Sequence, residues 1–299
     1  MKRVQLARIV SGVVGGVLLI GLLLLVSASM SALAAAGPPD YSRTGAMLDI
    51  GMSARAMALG GAYAAVVEDA TALYYNPAGL LRVQGIQANS LYLDQHGAAS
   101  YMALGIASRG LGIGLLHLGS AGNPYRDEFG NDLGDNFDLG ETAWMLGGAR
   151  SVGELKLGVT GKYYRQVIAD EVSSGWTVDA GVLLEKGKLT LALVGRNLAG
   201  ELSGSQGRDP FDASYVLGVG YRSGPLLLLA DLGLGQVVRT GVEYQLAGVA
   251  LRGGLWSEQG NQALTAGLGT KVGNLTIDYA LQVPSHLPVE HRLAVGVQF

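Results

Sequence analysis

The chain has no cysteine, only 8 prolines and little charge, with Asp, Glu, Lys and Arg making up 15% of its 299 residues. A soluble domain carries about 25% charge. Without cysteine there is no disulfide framework, and no thiol follows the N-terminal apolar run to carry a lipid anchor. Past residue 36 no run approaches the ~20 apolar residues of a membrane-crossing helix, which excludes a helical membrane protein from there on. Yet mean hydropathy is +0.30 and 49% of the residues are hydrophobic. An apolar chain without apolar helices must place its apolarity by alternation, on one face of β-strands.

What is present begins with an export pattern. Lys2, Arg3 and Arg8 surround the start of an apolar stretch, Ile9 to Val26, and the small-residue steps Ala32-Leu33-Ala34 and Ala34-Ala35-Ala36 follow. This predicts a cleaved signal peptide over residues 1–36, with an uncleaved anchor helix as the alternative because the apolar stretch is long for a signal. Removing three cations leaves eighteen Lys and Arg against 24 Asp and Glu, a net charge of −6. No basic footprint for nucleic acid remains.

From residue 84 to the end, period-2 alternation predicts fourteen strands, the first at 84–94 and the last at 291–299. Val238, Thr240, Val242, Tyr244 and Leu246 share one face, and Arg239, Gly241, Glu243 and Gln245 the other. After each even-numbered strand comes a tight turn: SRG at 108, SVGE at 151, EKGK at 185, RSG at 222, LAG at 246 and KVG at 271. After several odd-numbered strands the link is long, at 120, 167, 198 and 284. Short turns on one rim and long loops on the other describe an outer-membrane barrel, with apolar side chains toward lipid and polar ones toward the lumen. A soluble two-sheet sandwich alternates in the same way but accounts for neither the low charge nor the one-sided loops. The expected fold is therefore all-β, a 14-stranded antiparallel transmembrane β-barrel over residues 84–299. The final strand closes on Phe299 with apolar residues two, four and six positions before it, resembling the assembly signal read by the barrel-insertion machinery.

The lumen-facing candidates are Lys156, Lys162, Asp179, Arg196, Arg222, Asp231, Arg239, Glu243, Arg252, Asp278 and Arg292. They allow either a solute path selected by charge or a paired network that keeps polar groups satisfied. No G-x-G-x-x-G, Walker loop, H-E-x-x-H or G-x-S-x-G occurs, so neither an enzyme nor a cofactor is expected. His286, Glu290 and His291 share one loop, but the spacing is poor for a metal site. Asp127, Glu128, Asp132, Asp135, Asp138 and Glu141 cluster in another loop without the spacing of a calcium-binding hand. No metal site is assigned.

Before the strands lies GMSARAMALGGAYAAVVEDATALYYNPAGL, Gly51 to Leu80. Asp69 is expected to N-cap a short helix over Ala70 to Tyr75, and Pro77 stops it at Asn76 and can start a further turn. Gly60, Gly61, Ala62, Ala64 and Ala65 permit close approach to a wall. The stretch resembles the N-terminal signature of the PorV/PorQ family of outer-membrane barrels, in the same superfamily as the FadL-like long-chain fatty-acid transporters. The matching positions are Gly60, Gly61, the Glu68-Asp69 step, Asn76, Pro77, Ala78, Gly79 and Leu80. The match covers about 30 residues; the rest corresponds in architecture, and this chain is shorter than FadL-type transporters. The resemblance implies that residues 37–83 form a hatch in the lumen of a fourteen-stranded barrel, with a cap outside the barrel as the alternative. It further implies residence in the bacterial outer membrane among its lipids and a hydrophobic small molecule as cargo. The alternative it carries is a secretion-system-associated barrel that binds or hands over exported proteins.

Overall fold

A computed structural model describes residues 44–95, 97–205, 207–258, 261–285 and 287–299. The export signal assigned to residues 1–36 lies outside the described residues. The strands are β1 (Ile86–Gln95), β2 (Ala99–Ser108), β3 (Leu111–Arg126), β4 (Asp132–Val152), β5 (Leu155–Ile168), β6 (Glu171–Lys186), β7 (Leu189–Arg196) and β8 (Glu201–Gly204). They continue with β9 (Gly207–Pro210), β10 (Ser214–Ser223), β11 (Leu226–Gly233), β12 (Val237–Leu246), β13 (Val249–Glu258), β14 (Asn261–Val272), β15 (Leu275–Pro284) and β16 (Glu290–Gln298).

Every pairing is antiparallel between strand neighbours, and β1 pairs with β16, Gln87 opposite Gln298 through Tyr92 opposite Leu293, so the sheet closes on itself. β7 pairs directly with β10, while β8 and β9 form a small hairpin attached to β6. Fourteen strands therefore make the barrel, in the order expected from the alternation.

The side-chain period of two separates the faces. In β2, Tyr101, Ala103 and Ala107 are buried inside while Met102, Leu104 and Ile106 stand exposed outside. In β12, Glu243 is buried while Val242 and Tyr244 are exposed. A closed ring leaves no unpaired edge, and an apolar exterior with a polar interior is the arrangement that lipid requires.

All six tight turns fall where expected, and each contains a glycine at positive φ, such as Gly153 (59°) and Gly273 (60°), which a two-residue hairpin turn needs. The long links differ. Residues 120–138 are mostly strand rather than loop: β3 and β4 run on beyond Gly119, where pairing with β2 ends, as a two-stranded ribbon with register shifts at Ser120/Asn123 and Pro124/Arg126, closed by a turn at 127–131. The link at 167 is likewise strand, turned through Ala169 (φ 52°) and Asp170. The link at 198 holds the β8–β9 hairpin and folds inward, burying Leu202 and Phe211. Glycine and Asp/Asn content drew these segments toward loop, whereas ladder pairing with an adjacent strand satisfies their backbone. The last strand ends at Gln298, and Phe299 lies just past it, its amide still donating to the Ile86 carbonyl (2.8 Å).

Candidate functional site

Residues 44–83 pass through the inside of the ring. Two short helices, α1 (Ala54–Ala58) and α2 (Ala72–Tyr75), and two 3-10 turns, Ala46–Asp49 and Pro77–Arg82, carry the chain. Ser53 N-caps α1 by accepting the Ala56 amide (3.2 Å). Helix α2 begins two residues later than expected. Asp69 nevertheless accepts the Thr71 amide (2.9 Å), and the Ala72 amide donates to its carbonyl (3.0 Å), so the turn does start at Asp69. Asn76 leaves helical geometry at φ −164°, ψ 105°, as Pro77 demands. Its Oδ1 caps the next turn by accepting the Ala78 amide (3.1 Å), and its Nδ2 donates to the Ala64 carbonyl (2.9 Å). The Asn-Pro-Ala-Gly turn thus ties two passes of the segment together.

Close approach comes from both sides. Gly60 (φ 64°) sits so near β13 that a Cβ would lie 2.4 Å from the Leu255 carbonyl oxygen, and Gly254 offers the reciprocal gap at 2.2 Å from the Gly60 nitrogen. A Cβ on Gly79 would lie 2.6 Å from a Val67 methyl, so that glycine serves packing within the segment. On the far wall a Cβ at Gly158 would strike the Pro77–Ala78 peptide, at 2.2 Å, and one at Gly181 would strike the Asn76 amide oxygen, at 2.0 Å. These wall glycines were not singled out from sequence. Their signal is a glycine recurring on the inward face of alternating strands.

Polar contacts complete the docking. The Tyr63 and Ala64 amides donate to Asp231 (2.9 and 3.1 Å). Thr265 accepts the Gly60 amide (3.0 Å) and donates to the Ala58 carbonyl (3.1 Å). Arg55 forms a two-pronged pair with Glu243 (2.8 and 2.9 Å) and reaches Glu68 (3.1 Å). Arg252 bonds Glu243 (2.8 Å) and Asp278 (2.6 Å), so charges of alternating sign run from Glu68 to Asp278. Arg239 pairs with Glu258 (2.9 Å) and lies along Gly61. Arg292 donates to the Ile50 carbonyl and Tyr101 to the Gly51 carbonyl (2.9 Å). Arg196 stacks over Tyr74, 5.0 Å from its centroid, a cation–π contact. Lys162 and Asp179 pair with each other (2.8 Å) beside Asn197. Most of the inward charges around the segment are thus organised as a paired network, with Arg55 as the partner from the segment that sequence reading passed over, whereas Arg222 lies at the short-turn end without a carboxylate partner among the described residues.

Two cavities flank the segment. Toward the rim of long connections, a cavity of about 520 Å³ has Met57, Gly60, Gly61, Tyr74 and Tyr75 as its floor and Met47, Ile50, Leu118, Tyr215, Leu234 and Trp256 among its walls. Toward the short-turn rim, a cavity of about 560 Å³ is bounded by Ala65, Val66 and Leu81 to Gln84 from the segment.

The two metal candidates dissolve on geometry. His291 points outward and bonds Tyr279 (2.6 Å), while Glu290 points inward toward Arg292 (3.4 Å), because adjacent strand residues face opposite ways. His286 lies outside the described residues. In the acidic ribbon, Asp127 closes its own turn by accepting from the Asn131 side chain (2.8 Å) and the Asn131 and Phe129 amides (2.8 and 2.9 Å). The Asn131 side-chain bond foremost holds the Asp127 carboxyl below its ordinary range. Among the described residues no three His, Asp or Glu side chains converge.

No family model and no curated protein matches the chain. Among solved structures it is similar to the toluene transporter TbuX of Ralstonia pickettii, at 16% sequence identity over 83% of this chain and 98% of that one, TM-score 0.60. It is similar to the monoaromatic hydrocarbon channel CymD (14% identity, 84% and 98% covered, TM-score 0.63). The toluene transporter TodX of Pseudomonas putida is a third (15% identity, 83% and 98% covered, TM-score 0.65). The chain therefore shares the barrel fold of these transporters across nearly their whole length.

Proposed function

We propose that this chain is an outer-membrane barrel of the FadL-like superfamily that passes hydrophobic small molecules, with Gly51 to Leu80 as its hatch. The observation that carries the reading is the cavity of about 520 Å³ at the long-connection end, which rests directly on the segment and mixes apolar and aromatic walls (Leu118, Tyr215, Leu234, Trp256) with charged groups such as Glu141, Arg196 and Arg292. Its size falls within the range of small-molecule sites. Below it, the segment is held by hydrogen bonds and ion pairs, contacts that can part and re-form without breaking a barrel strand. The fold shared with the hydrocarbon transporters supports an apolar cargo.

Uptake of a monoaromatic hydrocarbon into proteoliposomes tests the reading, comparing the parent barrel, a deletion of Gly51 to Leu80, and empty vesicles. Uptake by the parent above the empty-vesicle rate, with open ion conductance only in the deletion, is expected. Parent uptake equal to empty vesicles would remove the transport reading. The likeness of Gly51 to Leu80 to the PorV/PorQ signature favours a second reading, a barrel that receives exported proteins. Co-purification of exported proteins with the parent but not with the deletion would move that reading ahead.

A further inference from the structure

The cavity at the short-turn rim gathers more cations than carboxylates, and several of its cations are not neutralised. Its lining includes Arg82, Arg109, Lys156, Lys188 and Arg222, against the carboxylates of Glu68 and Glu185. Glu68 is already engaged by Arg55 (3.1 Å). Glu185 is shared between Arg82 (2.6 Å) and Lys156. Lys188 reaches only the Ser223 hydroxyl (3.0 Å). Among the described residues neither Arg109 nor Arg222 has a carboxylate partner. This surplus of positive charge stands in a chain whose net charge is −3.

The fold brings these cations together from distant parts of the chain. The Arg222 amide donates to the Lys188 carbonyl (2.9 Å), which sets the β10 end beside the β6–β7 turn. The Gly110 amide donates to the Leu80 carbonyl (2.9 Å), which holds the β2–β3 turn, and with it Arg109, against the segment as it leaves the lumen. Arg82 also donates to the Ala65 carbonyl (2.8 Å), fixing its guanidinium under the segment. A concave recess of one sign focuses its field on what enters. Guanidinium forks match the oxygen pairs of carboxylate and phosphate. A cavity of about 560 Å³ admits a small molecule rather than a folded domain.

We infer that the short-turn mouth of the barrel is a binding site for a small multivalent anion, one bearing several carboxylates or a phosphate group. Arg222, Lys188 and Arg109 are its principal contacts, and Arg82 and Lys156 share Glu185 behind them. The inference stands apart from what crosses the barrel, since it concerns binding from the short-turn side alone.

Titration calorimetry on the full-length barrel in neutral detergent tests it, with inorganic pyrophosphate and citrate as the phosphate and carboxylate probes at constant ionic strength. Saturable binding of either probe at one site per barrel is expected. The double variant R222Q/K188Q should weaken it about tenfold or more, since each charge-assisted bond lost is large on the scale of one decade in affinity. Arg150→Gln, an exposed cation on the outer face of β4, should leave it unchanged. Heat-modifiable gel mobility establishes that each variant is folded. Heat that merely follows ionic strength, or affinity unaltered in R222Q/K188Q, or an equal loss in Arg150→Gln, would overturn the site. A barrel that fails to take up hydrocarbon but still binds pyrophosphate would count against the transport reading only.

Discussion

At the scale of single residues, the barrel depends on positions where a side chain is missing. Gly60 joins a left-handed backbone (φ 64°) to a van der Waals gap that β13 closes completely. Gly60→Ala adds about 1–2 kcal/mol of backbone strain and forces the Leu255 peptide to move. The expected outcome is a folded barrel whose Gly51 to Leu80 stretch is cut faster by limited proteolysis than in the parent; an unchanged cleavage rate would count against tight docking. Two aromatics outside the strands, Phe211 and Phe299, separate in the same way. Phe211 lies outside any strand but is only 5% exposed, packed edge-on to Tyr164 at 5.8 Å. Phe299 is 74% exposed on the outer side. Phe211→Ala should therefore cost about 3–5 kcal/mol of stability with little change in insertion. Deleting Phe299 should lower insertion yield and leave the melting temperature of the inserted fraction in place. Thermal gel-shift midpoints and inserted fractions, measured on both variants, decide this; a loss of stability on deleting Phe299 would contradict it.

At the scale of elements, the inner segment is held in place by the wall far more than by its own helices. Helices of five and four residues are below the length at which an isolated helix persists. Their shape is imposed by capping at Ser53 and Asn76 and by contacts with Asp231, Thr265 and Glu243. Among these the Arg55–Glu243 pair is the testable one. A buried pair adds little net stability over apolar replacements, but removing one partner strands the other, at about 3–5 kcal/mol. Arg252 still neutralises Glu243 in Arg55→Met, so the effect should lie toward the low end, loosening the segment while the strands stay paired. Single-channel recordings in planar bilayers should show more frequent openings for Arg55→Met than for the parent. Glu243→Gln, which leaves both Arg55 and Arg252 short of a partner, should raise them further. Equal currents in all three would mean that this pair does not restrain the segment.

For the molecule as a whole, the two faces of each strand answer to different solvents. Leu217 stands on the outer face of β10 and is exposed. Leu217→Arg should destabilise the inserted barrel by about 2–4 kcal/mol near the bilayer midplane and by little near a rim. Urea unfolding in lipid vesicles measures this and so places the strand in the bilayer. No measurable loss would exclude Leu217 from the bilayer interior.

What the sequence determined by itself was the periodic part of the molecule. Alternation such as that of Val242, Glu243 and Tyr244, and the turn chemistry of the six short links, are local properties, readable from adjacent residues, and they specified fourteen strands and their inward and outward faces. The motif at Asn76 to Gly79 was legible for the same reason, since proline geometry and an asparagine cap act within three residues. Only the tertiary structure decided which distant groups meet. Nothing local distinguishes Gly158 or Gly254 from other strand glycines until the segment presses on them, nor Arg55 from a solvated cation until β12 brings Glu243 to it. The ribbon at 120–138 and the burial of Phe211 escaped for a related reason: a neighbouring strand or a filled lumen satisfies what the sequence alone presents as a polar loop. Contacts across a closed barrel join residues more than two hundred positions apart, as Thr265 to Gly60 and Arg292 to Ile50 do, and such pairings are set by ring closure rather than by anything neighbouring residues encode.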